Sequence, residues 1–522
     1  MMRRFDGEPF EIVVIGGGAS GLGIAVDAAS RGYRTLLLEA HDFAKGTSSR
    51  STKLVHGGVR YLEQLDFSLV SEALRERGVL YANAPHLVRN LGFVVPRYRW
   101  WQGPFYGIGL KLYDALAGSQ NLAPSRGLDR EQTLAAIPNV ESEDLIGGVI
   151  YHDAQFDDAR MAITLARTAA DHGAVLLNGL EVFDLLRVGG RTGGGQTCGV
   201  VARDSATGAV HRVLAKVVIN ATGIFSDALR RMDDPTAPAM TQPSQGVHLV
   251  LDRSFQPGEN AIMVPHTDDG RVLFVIPWHG RVLVGTTDTP MSAPQLEPRA
   301  LPEEVDFILR NAGRYLVKDP TRGDVLSVFA GQRPLVREEG THSKKVSREH
   351  LVLVSHSALV TILGGKWTTY RQMAEDTLKH AVQVGGLRPS ACVTSRLKLH
   401  GWVARDDPAM PADDAMRVYG ADAPAVAELA REDPAWGLPL HPRLPYRGIH
   451  VVWAARHELA RGVEDVLARR TRALLLDARA SIEIAPRVAE LLAAELAHRP
   501  DWVTEQVRDY TALARGYLLD GP

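Results

Sequence analysis

Cysteine is almost absent: Cys198 and Cys392 are the only two in 522 residues. Two thiols exclude a disulfide framework and leave no thiolate set for zinc or an iron–sulfur cluster, so a reducing, cytoplasmic setting is expected. Long apolar runs are also missing. The N-terminal MMRRFDGEPF carries two arginines, but the apolar run Ile12–Ile15 stops at a glycine turn, so no secretory leader is expected. Nothing approaches the ~20 apolar residues of a membrane-spanning helix. The charges balance, with 59 basic against 61 acidic side chains, which excludes nucleic acid as an expected partner. No fixed-period repeat is evident, and Gly193–Gly195 reads as a short turn rather than a low-complexity tract. The length exceeds what one core supports, so two or three domains are expected.

What the chain does have begins at its N-terminus. Residues 11–15 (EIVVI) read as a buried strand, 20–31 have helical apolar spacing, and 35–38 form a second apolar strand. Gly16, Gly18 and Gly21 lie in the turn between the first strand and the helix. Glycines there allow the tight turn and the close approach of a pyrophosphate to N–H groups at a helix N-terminus. Glu39 stands where an acid binds a ribose 2′-hydroxyl, which disfavours a 2′-phosphate. The unit predicts a dinucleotide site without choosing between FAD and NAD.

Two remote segments favour FAD. The run TSSRSTKLVHGG, from Thr47 to Gly58, supplies hydroxyls at Thr47, Ser48 and Ser49, then Leu54, His56 and Gly57, suited to phosphates and a flat ring. The run GGKWTTY places Gly365, Lys366 and Thr368 before a helix expected from about 368 to 384, whose positive end suits a reduced flavin. Helical spacing recurs at 68–84 and 158–172, and strands are read at 175–177, 351–354 and 359–363. Between 246 and 333 short alternating runs (GVHLVLD, RVLFVIP, RVLVGTT, LSVFAG) predict an antiparallel sheet. The expected fold is α/β plus α. A discontinuous Rossmann-like FAD domain (1–90, 145–235 and 345–390) carries an inserted antiparallel-sheet substrate domain (91–144 and 236–344), and a helical C-terminal domain (395–522) follows.

The motifs IGGGASGLGIAVDAASRG, TSSRSTKLVHGGVRYLE, FDDARM, NATG, VGTTD, AGQRPL and GGKWTTYR occur in order between about 11 and 380. This series resembles the FAD-dependent glycerol-3-phosphate dehydrogenases of the D-amino-acid-oxidase-like flavoprotein superfamily, and DVLARRTRALLLD at 465–477 is similar to that family's C-terminal domain. The resemblance implies oxidation of sn-glycerol 3-phosphate to dihydroxyacetone phosphate by hydride transfer from C2 to flavin N5, with electrons passed to a membrane quinone. It implies Arg60 and Tyr61 in HGGVRYL, Arg333 in AGQRPL and Lys366 as substrate ligands, Thr287 near the pocket, and Thr222 and Gly223 of NATG against FAD. A phosphate dianion needs such cations. Lys366 has a second reading, near flavin N5 or a bound water. His248, matching a family histidine in GVHLVL, is the first candidate for the base that takes the C2 hydroxyl proton, with His56 as the alternative. Thr286, Thr287 and Asp288 read equally well as an aspartate turn.

Trp367 is bulkier than the aliphatic residue expected beside Lys366. The stretch from Arg97 to Trp101, with Phe105, Tyr106, Lys111 and Tyr113, mixes cations and aromatics as a lipid-headgroup contact does, or as an internal or oligomer interface does. Peripheral attachment to the inner face of the cell membrane is expected, and a homodimer is compatible with these features. Arg469, Arg470 and Arg472 read as a solvated or ion-paired helix face. An oxidase that uses O₂, and a non-catalytic flavin-binding component, are the competing readings.

Overall fold

A computed structural model describes residues 9–58, 67–100, 102–189, 195–337, 346–347 and 349–519. Two large sheets organise them. The first has eight strands. Phe10–Ile15 lies at its centre, parallel to Thr35–Glu39 on one side and to Val210–Asn220 on the other. Val175–Asn178 extends the sheet beyond Thr35–Glu39, and Val360–Gly364 extends it beyond Val210–Asn220, both in parallel. All but Val210–Asn220, whose first half is largely exposed, are apolar along nearly their whole length because both sheet faces are covered there. Helices Ala19–Ser30, Asp158–Asp171 and Tyr370–Val384 contribute to one core with the sheet. The small residues of Ala19–Ser30 permit close approach: a Cβ on Gly23 would sit 2.8 Å from the Tyr370 ring. The strand–turn–helix–strand order expected at the N-terminus is therefore present.

The second sheet has eleven strands. Thr241–Asp252 pairs antiparallel with Val325–Arg337 and with Arg281–Gly285, which continues through Leu273–Trp278 to Ala261–Val264. The alternating runs thus form antiparallel strands. Ala261–Val264 then joins Val88–Arg97 in parallel, and Val88–Arg97 pairs antiparallel with Gly147–Phe156. Gly147–Phe156 and Leu54–Val55 both belong to this second sheet, although they fall within segments read as parts of the FAD domain. Nine of the ten residues of Gly147–Phe156 are buried, so the strand lacks the polar alternation that marks a sheet edge or face in a sequence.

The C-terminal region is helical, with Gly448–His457, Ala478–Leu496 and Pro500–Arg515 as its longest elements. Its Leu474, Leu475, Ile484, Val488 and Leu492 share one core with Phe93, Val95, Trp278 and Phe329 of the second sheet. Arg469, Arg470 and Arg472 are buried and ion-paired, so the solvated alternative for this face is excluded. Among the described residues no helix is long and apolar enough to cross a membrane.

Candidate cofactor and substrate site

The parallel strands end at a cavity of about 540 Å³. Gly16 turns there at φ +108°, and a Cβ on it would stand 2.6 Å from the Ala221 carbonyl oxygen. Gly21 lies under the turn: its added Cβ would be 1.9 Å from the Gly16 carbonyl oxygen. The helix thus approaches as closely as the backbone allows, and Gly16 and Gly18 line the cavity with backbone alone. Such a glycine cradle at a helix N-terminus fits a diphosphate. Glu39 lines the same cavity and accepts N–H bonds from Gly17 at 2.7 Å and His41 at 2.8 Å. Burial pushes the pKa of its carboxyl up, and those two N–H groups oppose the shift.

The hydroxyl loop is fixed from three sides. Thr47 donates to the Gln332 carbonyl at 2.6 Å, Ser48 accepts the Ala19 N–H at 2.9 Å, and the Trp367 indole donates to the Ser48 carbonyl at 2.9 Å. The bulk of Trp367 is therefore used to hold the serine loop. Thr47, Ser48, Thr222, Gly223, Gly365 and Lys366 all line the cavity, as the sequence reading expects for cofactor contacts. Asn220, fully buried, orders the NATG turn by accepting from the Thr222 N–H and hydroxyl and donating to the Ser226 carbonyl. Gly364 and Gly365 turn at φ +71° and +89° into the short helical turn that starts Tyr370–Val384.

Other expected residues do not line that cavity. Ser49 is buried, and its carbonyl accepts from Lys53 and Arg472, each at 2.8 Å. Leu54 pairs with Gln155 in the second sheet. His56 and Thr368 sit side by side, with the His56 N–H 3.3 Å from the Thr368 hydroxyl, and the Gly57 N–H donates to the Tyr113 hydroxyl at 2.8 Å. Residues unread in the sequence complete the far end: Leu180 and Val182 from one strand, Phe225, Ala228 and Met232 around the helix Ser226–Asp233. They form an apolar wall suited to a nucleobase, and only their apolar character signals it. FDDARM anchors the loop from beneath. Asp157 caps the helix Asp158–Asp171, and Asp158 accepts from Ser51 and from the buried Lys53, each at 2.7 Å.

A second group gathers where the first sheet meets the second. His248 lies on Thr241–Asp252 between Gly285 and Phe329 of its neighbours, its ring stacked on Phe329 at 4.9 Å. A Cβ on Gly285 would be 2.4 Å from the imidazole, so glycine makes room for it. Imidazole Nε2 is 3.0 Å from the Thr52 hydroxyl, and Nδ1 has no hydrogen-bond partner among the described residues. The residue is 2% exposed and does not line the cavity. Burial, then Lys53 and Arg333, push its pKa well below the ordinary range, so it is neutral. Thr52 was not read as a site residue, since only the fold brings it to His248.

Arg333 is 26% exposed and held by Asp288 Oδ1 at 3.2 Å, the Thr286 hydroxyl at 3.3 Å and the Thr287 carbonyl at 3.2 Å. Its chain neighbour Pro334 lines the cavity. The Thr287 hydroxyl points away from this group: it accepts from the Val247 N–H and donates to buried Glu304. Arg60 and Tyr61 lie outside the described residues.

Comparison with known proteins agrees with this geometry. Residues 11–371 match the family described as FAD dependent oxidoreductase, and 357–502 match the C-terminal domain of alpha-glycerophosphate oxidase. The mitochondrial glycerol-3-phosphate dehydrogenase of Mesocricetus auratus is 42% identical over 94% of this chain and 71% of its own length. That of Homo sapiens is 41% identical over 98% of this chain and 73% of its own. The crystal structure of the Bacillus halodurans glycerol-3-phosphate dehydrogenase complexed with FAD superposes with a TM-score of 0.80 at 30% identity, covering 99% of this chain and 96% of that one. With its glycine cradle, acid and hydroxyl loop all in place at one cavity, the chain belongs to the FAD-dependent glycerol-3-phosphate dehydrogenases and takes FAD as its cofactor.

Proposed function

We propose that this enzyme oxidises sn-glycerol 3-phosphate to dihydroxyacetone phosphate and passes the electrons to a membrane quinone. The observation that carries the substrate reading is Arg333, 26% exposed on the strand that also gives Pro334 to the cavity lining, and oriented by Asp288 and Thr286. A fixed guanidinium suits a phosphate dianion better than a mobile lysine does. Lys366, lining the cavity, is the second cation, and Arg60 and Tyr61 complete the expected set. In this reading the first sheet and its helices hold FAD, the second sheet covers the substrate, and the C-terminal helices close the assembly.

FAD, when bound, supplies the acceptor for the hydride from C2. Gly16, Gly18, Glu39, Thr47, Ser48, Thr222, Gly223 and Gly365 hold it. His248 takes the C2 hydroxyl proton. Its neutral state makes it able to accept a proton: with Nε2–H donating to the Thr52 hydroxyl, the buried Nδ1 carries the lone pair, and closure of the substrate against the second sheet would have to bring the C2 hydroxyl to it. Burial, and after it Lys53 and Arg333, disfavour the imidazolium in the free enzyme. A dianion bound to Arg333 offsets that last contribution, which raises base strength when substrate arrives.

The lipid reading rests on exposed apolar side chains near the helix Gln102–Ala117: Trp100 is 79% exposed and Ile108 74%, with Leu112 one turn on from Ile108. Tyr113 is buried and takes no part, since its hydroxyl serves Asp153 and Gly57. A peripheral attachment through this face brings the enzyme to a lipid-soluble acceptor.

Anaerobic titration of the FAD-loaded protein with glycerol 3-phosphate tests the substrate. The flavin absorbance should bleach and return on adding a soluble quinone. A flavin that stays oxidised at saturating substrate would refute the assignment. Stoichiometric peroxide in air with no quinone turnover would replace the acceptor by O₂.

A further inference from the structure

The arginine cluster of the C-terminal region has no place in the chemistry above, yet all three guanidinium groups are buried and reach the flavin half of the molecule. Arg469 and Arg470 converge on Asp42; the Arg470 Nη2 to Asp42 Oδ1 distance is 2.9 Å. Arg472 donates to the Ser49 carbonyl at 2.8 Å and to Asp158 at 3.0 Å. Glu464 adds a salt bridge to Lys45, which also meets Glu297 at 2.7 Å. Against the cost of burial, Arg470 and Arg469 hold the Asp42 carboxyl far below the usual carboxylate range.

Asp42 and Lys45 belong to the segment 40–48 that follows Glu39. His41, Ala44, Lys45, Thr47 and Ser48 of this segment line the cofactor cavity. Residues 40–46 are neither strand nor helix, and few backbone bonds hold them, among them Ala44 N–H to the Gly17 carbonyl at 2.9 Å. The position of this wall therefore depends on side-chain anchors. Thr47 and Ser48 are held by Gln332, Ala19 and Trp367, and Asn178 donates to Asp42 at 3.1 Å, but the charged anchors of Asp42 and Lys45 come from Arg469, Arg470 and Glu464, with Glu297.

We propose that Glu464, Arg469, Arg470 and Arg472 are positioning residues for FAD: by pinning Asp42, Lys45 and Ser49 they keep the wall 40–48 closed, so cofactor retention depends on C-terminal docking. The inference rests on the FAD assignment and not on the substrate. Coupling of this kind is reciprocal, since a docked C-terminal segment that favours bound FAD is itself favoured by FAD.

Two measurements on the full chain test it, neither using turnover. In the wild-type protein, hydrogen exchange is compared with and without FAD. Protection should rise over 465–472 as well as over 16–21 and 40–48. Protection confined to the cavity-lining segments, with 465–472 unchanged, overturns the proposal whether or not any variant folds. In Asp42→Asn the FAD dissociation rate should rise roughly tenfold, within the usual range of coupling between sites, and in the rim variant Glu464→Gln by a smaller factor. A purely structural role lowers the melting temperatures of apo- and holoprotein equally and leaves the dissociation rate of the folded variants unchanged; that result also overturns it. Neither outcome bears on whether glycerol 3-phosphate bleaches the flavin, so the two readings fail independently.

Discussion

Gly18 and Gly21 belong to one fingerprint but do different work, and alanine at each separates the two roles. At Gly21 the new Cβ meets the Gly16 carbonyl oxygen at 1.9 Å, a backbone atom in a turn already at φ +108°. Opening that approach to 3.0 Å takes about 1.1 Å of movement between helix and strand. Overpacking of this kind costs about 1–3 kcal/mol, and the upper end applies because no side chain can rotate away. Alanine's better helix propensity returns at most about 1 kcal/mol. The net loss of apoprotein stability is therefore about 1–2 kcal/mol, and displacing the turn weakens FAD binding as well. At Gly18 the new Cβ meets only the Ser48 hydroxyl, at 3.1 Å, and φ is −83°, which alanine adopts freely. Apoprotein stability should change by less than about 1 kcal/mol, while the methyl occupies the face a diphosphate approaches. Thermal unfolding of both apoproteins, with FAD titration followed by quenching of flavin fluorescence, gives the two quantities. If Gly21→Ala melts with the wild type and binds a full equivalent of FAD, or if Gly18→Ala destabilises the apoprotein more than Gly21→Ala does, the close-contact argument is wrong.

Four further outcomes are expected. His248→Asn should slow flavin bleaching by glycerol 3-phosphate about 10²–10⁴-fold with FAD content unchanged; a loss below about tenfold would remove His248 as the base. Trp100→Ser combined with Ile108→Ser should weaken sedimentation with anionic liposomes by about 10-fold or more, since each apolar side chain contributes up to roughly 1.5–3 kcal/mol when buried, and turnover with a soluble acceptor should not change. Unaltered sedimentation would move the contact elsewhere. Arg469 and Lys45 hold Glu464 at a pKa of about 2 although burial opposes them. Its stabilising charge is therefore complete at neutral pH and is lost as pH falls from about 4.5 towards 2, so the melting-temperature gap between wild type and Glu464→Gln should shrink over that window, and a gap independent of pH would contradict the assignment. Glu76→Gln breaks the pair in which Arg371 donates at 2.7 and 2.8 Å to a buried carboxylate. It should lower the melting temperature by an amount equivalent to about 3–5 kcal/mol, and a shift worth less than 1 kcal/mol would show the pair to be replaceable.

The parts of this molecule that announce themselves in the sequence are those where backbone geometry dictates residue type. Gly16 and Gly21 have no substitute at their contacts, and Phe10–Ile15 and Thr35–Glu39 are apolar because both faces are covered, so the nucleotide unit was readable at residue level. Glu39 followed from its place at the end of the second strand. Gly147–Phe156 was harder: buried nearly throughout, it gives no alternation to show which sheet it joins. Thr52 beside His248, and Leu180 with Phe225 at the far end of the cavity, are tertiary meetings of unremarkable residues. For Arg469 and its neighbours the ion-paired alternative holds, but the sequence could not name the partners, for a physical reason. Charge in a helical run normally marks solvent, and the carboxylates that bury these groups, Asp42 and Asp158, lie more than 300 positions away.

That separation also has a cost in time. The central strand Phe10–Ile15 waits for Val217 and its neighbours before its second parallel partner exists, and Asn220 in turn waits for Thr361. Arg470 emerges 428 residues after Asp42. At roughly 5–20 residues per second of synthesis, the ribosome needs roughly 20–90 seconds to deliver the counter-charge that lets Asp42 be buried. Throughout that interval the nascent flavin sheet carries open strand edges and an aspartate that must stay hydrated, so under the proposed coupling stable loading of FAD falls at the end of translation rather than during it.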